Sequence, residues 1–150
     1  MGASGSAEDL CIQIAGLRIR VHGRQFDDAQ DYWDGNWLVV SARCVEGGAS
    51  VEVSGPIVHL SELSQFLAEL EPLYETLRGT ATLPCMEPNL RVEIRPSNST
   101  GGMEVDVRIT PDHLNQEHRF LFAIDQSYLP GIIGGIRAVL AECPIRGNPE

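Results

Sequence analysis

Six stretches of this chain alternate apolar and polar residues, and each group of three is followed by a run with apolar residues every three or four positions. Alternation sends successive side chains to opposite faces of a strand, so each stretch reads as a strand with one wet and one buried face. Leu17, Ile19 and Val21 alternate with Arg18, Arg20 and His22 in a strand from Cys11 to His22. A polar loop from Gly23 to Gly35 follows. Leu38, Val40, Ala42 and Cys44 then share one side of a strand from Trp37 to Glu46, and Gly47-Gly48 turns it back through Val51 and Val53 as a hairpin. In the second half Leu90, Val92 and Ile94 alternate with Arg91, Glu93 and Arg95. Met103, Val105, Val107 and Ile109 alternate with Glu104, Asp106 and Arg108, and Phe120, Phe122 and Ile124 mark a last strand.

The helical runs have their own punctuation. Leu63, Phe66, Leu67, Leu70, Leu73, Tyr74 and Leu77 form one stripe, with Ser61 as the expected N-cap, Gly79 as the stop and Pro72 expected to kink or split the helix. Leu129, Ile132, Ile133, Ile136, Val139, Leu140 and Cys143 form the other. Asp125 or Ser127 caps it, Pro130 sits in its first turn, where proline is tolerated, and Pro144 ends it. Gly131, Gly134, Gly135 and Ala138 run beside that stripe. Glycine costs a helix about 1 kcal/mol against alanine, which points to close packing in the core, with a homodimer contact as the second reading. Short connections favour antiparallel pairing. The expected class is α+β: an antiparallel sheet of about six strands with two long helices packed on one face.

Residues 10–150 are long enough for one domain, whereas residues 1–9, M-G-A-S-G-S-A-E-D, read as a flexible tail with nothing to bury. No apolar run reaches membrane-spanning length and the N-terminus lacks the pattern of a secretory signal, so a cytoplasmic location is expected. Cys11, Cys44, Cys85 and Cys143 have neither paired spacing nor histidine neighbours at metal-ligand spacing, and are expected to be reduced thiols. The net charge is −10, from 21 acids against 11 bases, all of the bases arginine. That balance disfavours nucleic acid and suits a basic protein partner.

D-Y-W-D-G-N-W-L, Asp31 to Leu38, holds both tryptophans, and Asp27 and Asp28 lie just ahead of it. The aspartate spacing does not match a calcium loop, since no closing glutamate stands at the required distance. His22, His59, His113 and His118 are scattered, and no serine sits in a nucleophile elbow. Gly101-Gly102 precedes a strand rather than a helix, so it is turn chemistry and not a phosphate cradle. No catalytic residue, metal or cofactor is expected, and the chain is not read as an enzyme. Two large aromatics beside four carboxylates do resemble a protein interface, which makes Asp27, Asp28, Asp31, Tyr32, Trp33, Asp34 and Trp37 the candidate contact residues. Trp37 falls on the face opposite the core strip.

W-D-G-N-W-L opening a strand, E-P-N-L at Glu87 to Leu90, D-Q-S-Y-L-P at Asp125 to Pro130 and the terminal C-P-I-R-G together resemble the WapI-type immunity proteins, over about Asp31 to Gly147. The resemblance implies a cytoplasmic antitoxin encoded beside a polymorphic, contact-dependent bacterial toxin, a tRNA-cleaving nuclease in the founding case. It marks Asp31, Trp33, Asp34, Gly35, Asn36, Trp37, Asp125 and Leu129 as family-defining. The expected partner is a cognate toxin domain with a basic surface, captured by stoichiometric binding, with no membrane partner and the oligomeric state left open. A non-catalytic interaction or scaffold module with an unrelated partner is the alternative.

Overall fold

The computed structural model describes residues 10–150. Its strands are β1 (Cys11–Ile14), β2 (Leu17–Arg24), β3 (Trp37–Glu46), β4 (Ala49–His59), β5 (Ala81–Leu83), β6 (Leu90–Pro96), β7 (Gly102–Ile109) and β8 (Arg119–Asp125). The helices are the single turn α1 (Tyr32–Gly35), then α2 (Leu60–Thr76) and α3 (Leu129–Glu142), the last preceded by a 3-10 turn at Gln126–Tyr128. Two antiparallel four-stranded sheets, ordered β1-β2-β3-β4 and β5-β6-β7-β8, replace the single sheet of about six strands expected from the alternation. The α+β class and the antiparallel pairing stand.

Two local facts account for the difference. Ala15, at φ 52°, and Gly16 turn the chain sharply, so the run from Cys11 to His22 is a β1–β2 hairpin rather than one strand. Gly16 cannot be replaced there by a larger residue. A Cβ on it would lie 2.3 Å from the Val45 carbonyl oxygen and 2.7 Å from the Phe122 ring, where one sheet meets the other. The other strand, β5, has three residues, too few for alternation to register.

Register keeps the apolar strips together. Leu17, Ile19 and Val21 lie opposite Cys44, Ala42 and Val40, while Leu90, Val92 and Ile94 lie opposite Ile109, Val107 and Val105. Both strips enter one core with Phe66, Leu70 and Leu73 of α2 and Ile132, Ile136 and Val139 of α3. The helices are not laid together on one sheet face: α2 packs on β5, α3 packs on β1, and the two pack on each other.

The helix ends depart from expectation too. His59, not Ser61, caps α2: its Nδ1 accepts the Ser61 N–H at 3.3 Å while its own N–H donates to Glu62 Oε1 at 2.8 Å. Pro72 does not split α2, which stops at Leu77 in a left-handed conformation, φ 59°, two residues ahead of Gly79. Asp125 caps the 3-10 turn through the Ser127 N–H, and Pro130 occupies the first turn of α3. Of the glycine strip, Gly135 packs internally, since a Cβ there would lie 3.2 Å from the Cys11 carbonyl oxygen. Gly131 and Gly134 face open space.

Candidate partner-binding site

The stretch between β2 and β3 is held from below by the last residues of the described chain. Asn36 is fully buried, and its amide donates to the carbonyls of Tyr32 at 2.7 Å and Arg146 at 2.9 Å. Its Oδ1 accepts the Arg146 N–H at 2.9 Å and an Arg24 guanidinium N–H at 3.2 Å. Arg24 also donates to the carbonyls of Gly35 and Pro144, and Arg146 to those of Asp27 at 2.7 Å and Ala29 at 2.8 Å. Burial, and then the neighbouring Arg146 charge, push the Arg24 guanidinium below its ordinary pKa. Carbonyls rather than carboxylates therefore satisfy this arginine pair. Gly35 is required for the fit, because a Cβ on it would stand 2.6 Å from the Ala29 carbonyl oxygen.

On this clasp sits α1, whose first turn is capped by Asp31: its Oδ2 accepts the Asp34 N–H at 3.0 Å. The turn lifts Tyr32 and Trp33 against a histidine that alternation alone does not single out. His59 has no exposed surface, and the rings of Tyr32, Trp33 and Trp37 lie with centroids 5.4, 5.4 and 4.9 Å from its own. Tyr32 and Trp33 also meet edge to face at 4.9 Å. His59 Nε2 lies 3.2 Å from the Trp33 carbonyl oxygen and its Nδ1 2.7 Å from Ser61 Oγ. One imidazole thus caps α2, pins the backbone of α1 and forms the floor of an aromatic cluster.

The candidate residues divide into two groups. Tyr32 and Trp37 are half-buried, with Trp37 packed edge-on against His59, its cross-strand partner. Trp33 stays 50% exposed, and Phe26, at the start of the same loop, 48%. Asp27, Asp28, Asp31 and Asp34 are all exposed, and among the described residues none forms an ion pair. Behind the cluster, the buried Glu62 accepts from the backbone N–H of His59 and of Met86, each at 2.8 Å. Burial pushes the Glu62 carboxyl up, more than those two bonds pull it down. Among the described residues no three His, Cys, Asp or Glu side chains converge to hold a metal ion.

Sequence reasoning missed His59, Arg24 and Arg146. His59 was within reach of a capping-box reading, since Glu62 stands three residues later, but histidine is not among the usual first residues of that pattern. Arg146 lay in the C-P-I-R-G segment without any sign of what it touches.

The described residues thus form an α+β fold that carries a partly exposed aromatic and acidic loop. Residues 11–144 match the model of the Immunity protein WapI-like family, and the chain belongs to that family of immunity proteins, whose class of function is protection from a toxin. Among solved structures the chain is similar to the plant transcriptional regulator PBF-2, at 9% identity over 89% of this chain and 80% of that one, with a TM-score of 0.54. It is also similar to WHY1 from Arabidopsis thaliana, at 11% identity over 89% and 88% of the two chains, with a TM-score of 0.50. At such identities the likeness is one of fold alone. No curated protein matches the sequence. Among the described residues no helix is long and apolar enough to cross a membrane.

Proposed function

We propose that this protein neutralises a cognate bacterial toxin domain in the cytoplasm by stoichiometric binding, and that the loop from Phe26 to Asp34 makes the contact. The observation that carries this reading is Trp33: a large aromatic half in solvent, packed on a buried histidine, in a loop whose four exposed aspartates form no ion pair among the described residues. Aromatic anchors ordered before binding lose little entropy on association, which is the usual character of an interface hot spot. The aspartates suit a basic toxin surface such as the RNA-gripping face of a nuclease. They would speed encounter toward on the order of 10⁸ M⁻¹s⁻¹ at low salt.

Co-expression with the toxin domain encoded beside it tests the proposal. Wild-type protein is expected to restore growth and form a 1:1 complex. Asp27→Lys/Asp28→Lys is expected to slow association and weaken its salt dependence, and Trp33→Ala to speed dissociation. Full protection with unchanged kinetics in both variants would place the contact elsewhere.

A further inference from the structure

The arginines of this acidic protein are treated differently on its two sheets. On the outer face of the second sheet Arg95 pairs with Glu93 and Glu104, and Asp106 pairs with Arg119 at 2.7 Å and with Arg108 at 3.9 Å; of its arginines only Arg91, across from Arg108, forms no ion pair among the described residues. On the outer face of the first sheet Arg18, Arg20 and Arg43 are exposed, and among the described residues none of them forms an ion pair. Arg18 and Arg43 are direct cross-strand partners, as are Arg20 and Ser41. Like charges placed opposite one another destabilise a sheet, and the one acid across from Arg43 is Glu52. The three cations and Ser41 line, with Glu52, a hollow of about 250 Å³. Beside it, His22 bonds Ser41 at 2.7 Å, and Ser54 donates to the same hydroxyl at 3.2 Å.

We infer that this face binds an acidic segment of a polypeptide, its carboxylates taken by Arg18, Arg20 and Arg43. Guanidinium groups recognise carboxylates through paired N–H donors, and among the described residues these three are held in no ion pair, Glu52 being the one carboxylate beside them in the hollow. Phosphate is the other anion arginine favours, but a single strand of nucleic acid also needs free aromatic platforms, and the rings on this face of β2 and β3 are engaged: His22 bonds Ser41 and Trp37 packs edge-on against His59. The chain's net charge of −10 further repels a continuous phosphate backbone, whereas a local acidic loop on a protein escapes most of that repulsion. The surface is separate from the Phe26–Asp34 loop and opposite to it in sign, and the inference does not depend on the toxin reading.

The test uses the full chain, a fluorescent hexaglutamate peptide and a fluorescent six-nucleotide oligouridylate, with anisotropy read at about 20 mM salt, where screening is weak. The peptide is expected to bind, and salt to weaken it. Arg18→Gln/Arg20→Gln/Arg43→Gln is expected to lower its affinity about tenfold, the scale of three exposed charge contacts. The charge-matched control Arg78→Gln/Arg108→Gln/Arg137→Gln is expected to leave it within about twofold on the same scale. Should the first triple variant unfold, Arg20→Gln alone is expected to weaken the peptide about twofold. The inference is overturned if the peptide does not bind, if the control triple weakens it equally, or if oligouridylate binds as tightly with the same arginine dependence. Salt-sensitive self-association lost in the arginine triple variant would likewise assign the face to a second copy and overturn it.

Discussion

Asn36 Oδ1 accepts the backbone N–H of Arg146 at 2.9 Å, and the Asn36 amide returns a bond to the Arg146 carbonyl at the same distance. This reciprocal pair joins the entrance of β3 to a segment 110 residues later, and it explains why W-D-G-N-W-L and C-P-I-R-G occur together in one chain. Removing a side chain that satisfies buried backbone groups leaves them stranded, at about 1–3 kcal/mol each. Asn36→Ala is therefore expected to lower unfolding free energy by about 3 kcal/mol in urea denaturation and to speed amide exchange at Arg146. A loss under about 1 kcal/mol would mean that the clasp contributes little to the fold.

Two glycines in the C-terminal part of the chain predict opposite outcomes. Gly147, at φ 63°, has room for no Cβ, since one would sit 2.8 Å from the Tyr32 nitrogen, whereas Gly134 faces open space on α3. Gly147→Ala is expected to cost about 1–3 kcal/mol, and Gly134→Ala to stabilise by up to about 1 kcal/mol through helix propensity. Thermal unfolding of the two variants reads both signs.

Much of this architecture is legible in the residues. Five of the six alternating runs each lie in a single strand, because one face of each is wet and the sequence records that difference. The split of Cys11–His22 at Ala15-Gly16 leaves no comparable mark, since a tight turn can keep the same alternation on both of its arms. Whether strands join one sheet or two depends on where α2 delivers the chain, and no local pattern states that. For the site, spacing disposed of a metal loop and placed Trp37 off the core strip. The convergence of Tyr32, Trp33 and Trp37 on His59 needs three elements to meet, so it appears only once β4 and α2 are in place.

Two carboxyls give the stability–pH curve limbs of opposite origin. Burial raises the Glu62 carboxyl, so the folded state keeps a proton that the unfolded chain loses near its ordinary value of about 4.3. The stability this confers is complete below that pH and falls as pH rises through the folded value. Asp106 is the reverse: hydrogen bonds from Arg119 hold it below the usual carboxylate range. Its contribution is present above about 3.9 and lost as pH falls through the lowered value. Denaturant unfolding across pH is expected to show a flatter upper limb in Glu62→Gln and a flatter acid limb in Asp106→Asn. Carboxyl carbon NMR titration would assign each step.

Thiol reactivity follows burial. Cys44 has no exposed surface, and desolvation, followed by the nearby Glu46 charge, pushes its thiol up to about 11. Burial and then Glu62 raise Cys85 further still, and burial raises Cys143. Thiolate is the reactive species, so these three are expected to resist a disulfide reagent at neutral pH until the protein unfolds. Rapid native-state labelling at any of them, located by peptide mass mapping, would contradict that burial.

The two tryptophans separate folding from binding. Trp37 is half-buried and packs edge-on against His59, itself the cap of α2, so Trp37→Ala is expected to cost about 2–3 kcal/mol and to weaken neutralisation only as far as it unfolds the protein. Trp33 exposes half its surface above the same histidine, and Trp33→Ala is expected to stay within about 1 kcal/mol of wild-type stability. Its effect belongs in the complex, as a dissociation rate raised at least about 30-fold, the kinetic equivalent of a 2 kcal/mol anchor. Urea denaturation of both variants, set beside toxin dissociation measured by surface plasmon resonance, compares them directly. If Trp33→Ala loses stability as Trp37→Ala does while its dissociation rate is unchanged, the exposed ring belongs to the fold, and the acidic rim alone is left to meet the toxin.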